Sequence, residues 1–455
     1  MIIRISFGVG RIIKHQPNHK GSTMDSVKKL KWDCKKDIPL IADADIAVIG
    51  GGPGGLGAAV MAAREGARVV LVERYGFPGG MAASGGVTPF MHNHVVKPPP
   101  LACLDTPICR EWQDRINSYR TPPSDTNLPL TRELASLAAE DMLLDAKVNL
   151  LYHHTLVDVI RDENTIRHAV LHSKSGFSAV NAKVFIDSTG DGDLAALANC
   201  PFEKGDSEGL CQPMTLFFQL SHLEPERMPD DTELNRLYRL AKERGEISCP
   251  QGHFRGSPQF DPTVFAFNWT RVLDRDGLSG TDLSMAETEA RRQVREVVSW
   301  LRREVPGYGN AQIHSIACQI GIRETRRILG KDYLTRAAFE ERRKCADGIA
   351  RVNYPIDIHN PKGAGVELID IPWGDYYEIP FGCLVPRGCG NLLIGSRCIS
   401  VDHAIHASIR IMPVVCSLGS AAGIAAAWCA RDGITPSAID GREIRASLKR
   451  HGAFL

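Results

Sequence analysis

Apolar and polar positions fall into two rhythms along the chain, and their first meeting is the most informative. "DIAVIG", ending at Gly50, is a short β-branched apolar run, and "LGAAVMAAREG", ending at Gly66, has the Ala, Leu and Met content of a helix. Where they meet, residues 50–57 hold six glycines in eight positions, so the pattern predicts a strand, a tight turn and a helix. A second apolar strand, "RVVLV", follows and ends at Glu73. Further on, residues 148–190 alternate apolar and polar over several short strands, with turn residues at Asp162–Asn164 and Lys174–Gly176. That alternation predicts an antiparallel meander returning to a parallel sheet. Over 284–307 the period changes to 3.6: Ala290, Val294, Val297, Val298 and Leu301 share one helical face, and Ser284 with Glu287 suggests a capping box.

The glycine turn carries chemistry. Gly50, Gly52 and Gly55 fit GxGxxG, whose glycines permit the turn, the approach of a pyrophosphate and the packing of helix on strand. Glu73, 23 positions after Gly50, is spaced to accept from the ribose hydroxyls of an adenosine. This arrangement predicts dinucleotide binding without separating NAD from FAD.

Composition narrows the function classes. The 455 residues are 43% hydrophobic and 24% charged, enough chain for two or three packed lobes around a large ligand. Lys and Arg number 54 against 53 Asp and Glu, so charge gives no argument for nucleic acid or an anionic membrane. No uninterrupted apolar run approaches the roughly 20 residues of a membrane span. The thirteen cysteines are dispersed without a CxxC pair, which predicts reduced thiols, a cytoplasmic setting and neither an iron–sulfur nor a zinc site. Before Asp25 the chain has Arg4, Arg11, Lys14 and Lys20 but no acid, a composition shared with transit peptides. Residues 1–40 are expected to be a disordered tail, and no metal site is expected anywhere.

Several stretches together, "GGGPGG" with Glu73, "GGMAASGGVTPF", "FIDSTGDGDLAALA", "GIRETRRILG", "DGIARVNYPIDIH" and the block from Tyr377 to Ala427, resemble the FAD-dependent oxidoreductases related to the flavin (A) subunit of heterodisulfide reductase. The resemblance runs from Ala44 onward, in order. Two positions depart from it: Ala83 stands where Thr is common, and Gly395-Ser396-Arg397 where Ala-Gly-Arg is common. It implies an α/β fold, with a Rossmann-type FAD-binding domain, a β-meander crossover and an inserted substrate or cap domain. The FAD domain would be discontinuous, 41–215 and 370–455, with 216–369 inserted. The charged, Pro-rich stretch 221–263 marks such a change of domain.

FAD is then the expected cofactor. Its expected contacts are Gly50, Gly52, Gly55, Glu73, Arg74, Gly80, Met81, Val157, Gly190, Asp191, Ile411 and Met412. Pro413 suits the first turn of a helix, which would direct a positive dipole end and free N–H groups toward flavin N1 and O2, with Arg410 just before it. His403 is the first candidate for proton transfer, since an imidazole titrates near neutrality; His406 and the His92/His94 pair are further candidates, His92 on the substrate side. Arg323, Glu324 and Arg326 suit either an anionic substrate or a salt-bridge network between the domains. The expected activity is hydride transfer between a small organic substrate and flavin N5, with NAD(P)H or a partner protein as electron partner and homo-oligomerisation open. A flavin electron-transfer subunit is the alternative; a tRNA-modifying flavoprotein is disfavoured by the neutral charge.

Overall fold

The computed structural model describes residues 37–87, 90–93, 104, 106–120 and 131–455. Of the expected tail, residues 1–36 lie outside this set, while Leu40 already begins a strand and Pro39 O accepts the Ala179 N–H at 2.9 Å.

The apolar runs become one mixed sheet. Strands β1 (Leu40–Ile49), β2 (Val69–Val72), β3 (Asn149–Leu151), β4 (Thr155–Asp162), β5 (Thr165–Ser173) and β6 (Gly176–Asp187) stand in the order β3-β2-β1-β6-β5-β4. β3, β2, β1 and β6 are parallel; β5 and β4 return antiparallel as the meander. Leu392–Ile394 joins the carboxy-terminal half of β6 in parallel. The pairs Ile49↔Val72, Ile49↔Asp187 and Ile394↔Asp187 bring the parallel ends to one edge, where such sheets bind ligands. β2 is buried at every residue, as its unbroken valine-rich run requires. The fold is the Rossmann-type α/β arrangement.

Helix α1 (Pro53–Arg64) follows β1 and packs on the 21-residue helix Met412–Asp432. The contact is backbone against backbone: a Cβ on Gly419 would lie 1.9 Å from Gly54 O, one on Gly423 2.3 Å from Ala58 O, and one on Gly57 2.4 Å from Cys416 O. Helix Met412–Asp432 is long and apolar enough to cross a membrane, a property hidden from a count of uninterrupted apolar residues; here 94% of its apolar window is buried, much of it against α1.

A second core lies between residues 214 and 322, where Tyr238, Phe254, Phe267, Trp269 and Trp300 pack beneath a four-stranded antiparallel sheet. The region expected as one insert, 216–369, therefore divides. Ile328, Phe339, Ile349, Val352 and Ile356 belong to the larger core, because Gly348–Val352 pairs with the return strand Tyr377–Pro380. The long helix of the smaller lobe spans Gly280–Glu304. Ser279 caps it by accepting the Asp282 N–H at 3.2 Å, so the cap stands five residues before the expected Ser284.

Candidate active site

The aligned strand ends and the starts of two helices line an open cleft. The glycines at its floor have separate causes. Gly50 has φ +104°, and a Cβ there would lie 2.4 Å from Ser188 O; one on Gly55 would lie 1.8 Å from Gly50 O. Both are glycine because the protein itself fills the space. Gly52 differs: its φ of −74° suits any residue, and the nearest atom to a Cβ is Gly80 Cα at 3.7 Å. It lines the cleft, and a side chain there would occupy ligand space. No side chain caps α1, whose first-turn N–H groups have no intrahelical partner. A bare helix start beside a glycine cradle suits a pyrophosphate.

Glu73, just past β2, stands on the cleft wall. It is 7% exposed; Oε2 accepts the Gly51 N–H at 2.7 Å and Oε1 the Tyr75 N–H at 2.9 Å. Burial pushes its pKa above the ordinary carboxylate value against these bonds. Each oxygen keeps acceptor capacity for ribose hydroxyls. Glu73→Ala is expected to weaken FAD retention by about 1.5–3 kcal/mol, as the loss of a charged acceptor implies. Equilibrium dialysis of FAD against the variant checks this, and unchanged affinity would move the ribose elsewhere.

Buried Asp187 shapes the opposite wall. Its Oδ1 accepts the Thr189 N–H and hydroxyl at 3.0 and 2.7 Å, and its Oδ2 the Ala195 N–H at 2.9 Å; burial, resisted by these bonds, pushes its pKa up to about 6. The loop so held presents Gly190 and Asp191, where Asp191 Oδ1 accepts from Arg397 at 2.8 Å and from the Thr325 hydroxyl at 2.7 Å. Arg326 donates to Asp191 O and Asp193 Oδ1, and Arg327 to Glu324 at 2.6 Å, so these arginines of "GIRETRRILG" are held in ion pairs with the protein's own carboxylates.

Gly50, Gly52, Glu73, Arg74, Gly80, Met81, Gly190, Asp191, Arg410 and Met412 all line the cleft. Gly55 lies beneath its floor. Val157 and Ile411 are not on the wall; β4 offers Thr155 and Leu156 instead, and Ile411 is buried as the N-cap of helix Met412–Asp432. His403 is also off the wall. Its Nδ1 lies 2.8 Å from Oε1 of buried Glu324; Glu324 Oε2 accepts the Gln212 N–H at 3.3 Å, and Gln212 Oε1 accepts from Arg410 at 3.4 Å. His403 thus reaches the cleft only through two intervening groups. His406 is buried, and burial holds its pKa well below the ordinary imidazole value. His92 is exposed and off the wall, and His94 lies outside the described residues.

Sequence reasoning missed Ser188, Thr189, Gln319, Ser396 and Arg397 on the wall. Ser396 and Arg397 stand at one departure from the family pattern noted above; Ala83, at the other, is buried and off the wall. Arg410 has the most telling surroundings: its guanidinium donates to Asp357 O at 3.0 Å and Oδ2 at 3.3 Å, beside the uncapped start of helix Met412–Asp432. Among the described residues no group of three or more His, Cys, Asp or Glu is arranged to hold a metal ion.

A sequence model of the family "FAD dependent oxidoreductase" matches residues 45–448. A search of curated protein sequences finds no match. Solved structures similar in fold include a geranylgeranyl bacteriochlorophyll reductase-like protein from Thermoplasma acidophilum (11% identity over 90% of this chain and 83% of that one, TM-score 0.43). Others are the myxobacterial chondrochloren halogenase (14%, 90% and 79%, TM-score 0.43) and p-nitrophenol 4-monooxygenase from Pseudomonas putida (10%, 91% and 87%, TM-score 0.44).

Proposed function

The chain belongs to the FAD dependent oxidoreductase family, and from that premise we propose that it transfers a hydride between a small organic substrate and N5 of its bound FAD. FAD supplies the two-electron acceptor chemistry. The observation that carries the proposal is the meeting of Arg410 with the start of helix Met412–Asp432 on the cleft wall, a guanidinium beside a positive dipole end. Such a pair would stabilise the negative charge of a reduced flavin at its N1 and O2 edge.

The chain's own residues divide the remaining work. Gly50, Gly52 and the first turn of α1 would hold the pyrophosphate, and Glu73 the adenosine ribose. Arg74 and Tyr75 both bond Gln319, drawing the smaller lobe over the cofactor. His403, oriented by Glu324 and linked through Gln212 to Arg410, is a positioning residue in this reading. A reducing, cytoplasmic setting fits the eleven described cysteines, all free thiols. NAD(P)H or a partner protein would complete the electron balance. A closer relationship to the flavin (A) subunit of heterodisulfide reductase is part of this proposal.

Anaerobic mixing of the holoprotein with oxidisable organic acids, with and without NAD(P)H, tests the reading. The expected result is loss of flavin absorbance with at least one acid in the absence of NAD(P)H. A flavin that only NAD(P)H reduces, and that turns over only with oxygen, would instead make the enzyme a monooxygenase.

A further inference from the structure

Behind Arg410, polar side chains of the smaller lobe meet the strand Ile356–His359 in a cluster whose charges do not balance. Arg323 donates to Pro213 O at 2.7 Å, the Thr215 hydroxyl at 2.6 Å and Asn268 Oδ1 at 3.4 Å. Arg271, 2% exposed, donates to Gln251 Oε1, Asn360 O and Gly365 O. Every one of these acceptors is neutral, and among the described residues neither arginine has a carboxylate partner. Asp357 pairs with Arg410 at 3.3 Å and lies 3.5 Å from His359. Nearby Glu324 is already taken by Arg327 and His403. Burial, then the charges of Arg323 and Arg410, push His359 down to about 4, so it is neutral at pH 7 and offsets nothing.

Arg323 and Arg410 therefore share the one carboxylate of Asp357, and Arg271, whose charge also acts on Arg323, has none. Even with Arg410 serving the cofactor and Asp357 set against a second arginine, one buried positive charge has no counterpart, an arrangement that costs stability unless an anion joins it. Burial and the charge of Arg410 hold the Arg323 pKa down to about 9, as such crowding implies. Unused donors point the same way. Gln212 is 3% exposed and its Nε2 has no partner, while its Oε1 accepts from Arg410 and the His359 N–H; Arg410 Nε and Arg271 Nε are buried without acceptors. A planar carboxylate carries one negative charge and four acceptor positions, and matches an arginine fork.

We infer that this cluster of Arg323, Arg410 and Gln212, which meets the cleft wall at Arg410, is a carboxylate-binding subsite, and that the enzyme's substrate is an organic acid anion. The inference rests on reading the cleft as the FAD-linked substrate site. It is tested on the oxidised holoprotein by calorimetry and flavin difference spectra with malonate, malonamide and inorganic phosphate. Malonate should bind saturably and perturb the flavin spectrum, malonamide should do neither, and phosphate should bind more weakly than malonate. Arg323→Gln should weaken malonate binding by about 10- to 100-fold at unchanged FAD content, with Arg323→Lys in between. A holoprotein blind to malonate, equal binding of malonamide, tighter binding of phosphate, or undiminished binding by Arg323→Gln overturns the subsite. Should Arg323→Gln fail to fold, the comparison of malonate with malonamide on the wild type still decides. Failure of the parent reading looks different: a protein that retains no FAD, or whose flavin no organic acid reduces although malonate binds.

Discussion

Gly52→Val is expected to give a folded protein that no longer holds FAD. The backbone at 52 is in a region open to valine, and no protein atom stands closer than 3.7 Å to the position of its Cβ. The added side chain enters the cleft where a pyrophosphate meets the start of α1, so FAD affinity should fall by about 100-fold or more, the scale of overpacking a site by several methyl groups. Gly54→Ala supplies the contrast, because its methyl would stand 1.9 Å from Gly395 O and 3.2 Å from Val415. That variant should lose about 1–3 kcal/mol or more of stability with or without cofactor. Flavin absorbance after gel filtration, set beside melting curves of the apoproteins, separates the two. Wild-type FAD retention by Gly52→Val would mean that the pyrophosphate lies elsewhere.

Arg410→Gln is expected to keep FAD and to slow anaerobic flavin reduction by about 10²- to 10³-fold, as losing one preorganised donor to developing charge does in other enzymes. FAD should remain because the residues proposed to hold its pyrophosphate and ribose, Gly50, Gly52 and Glu73, flank α1 and β2 and make no bond to Arg410. The variant also changes acid stability. Burial tends to raise the pKa of Asp357, yet the His359 hydrogen bond and the charges of Arg410 and Arg323 hold it below the ordinary carboxylate value. A carboxyl lowered on folding stabilises the protein above its unfolded pKa, and that contribution is lost as pH falls through the folded value. Without Arg410 the loss should begin at a higher pH. Melting temperature against pH for both proteins checks this, and coincident curves would remove Arg410 from the Asp357 environment.

What was legible in the sequence shares a physical cause. Gly50, Gly52, Glu73 and the Pro413 helix start are recognisable because strand, turn and helix are set within some twenty residues, and glycine and proline report backbone geometry directly. The cluster was not legible as a unit. Arg323 finds its acceptors 108 and 110 residues earlier, and Glu324 takes His403 from 79 residues away, so neither a charge count nor a position in a motif shows which side chain meets the cleft. His403 looked like a base from its place beside the flavin block, whereas the fold gives the cleft wall to Arg410, one residue past the short helix that His403 begins. Val157 and Ile411 missed the wall for a smaller reason: adjacent residues differ in direction, and a motif does not resolve that difference. The boundary of the smaller lobe was hidden because Gly348–Val352 finds its partner strand about thirty residues later.

Hydride transfer itself is tested most directly by single-turnover anaerobic reduction of the bound flavin, using an organic acid that reduces it and the same acid deuterated at the carbon to be oxidised. The account predicts slower flavin bleaching with the deuterated acid, at unchanged FAD content and unchanged acid affinity. Equal rates in a single-turnover reductive step would contradict it, because the C–H bond would then not be breaking as the flavin takes its electrons.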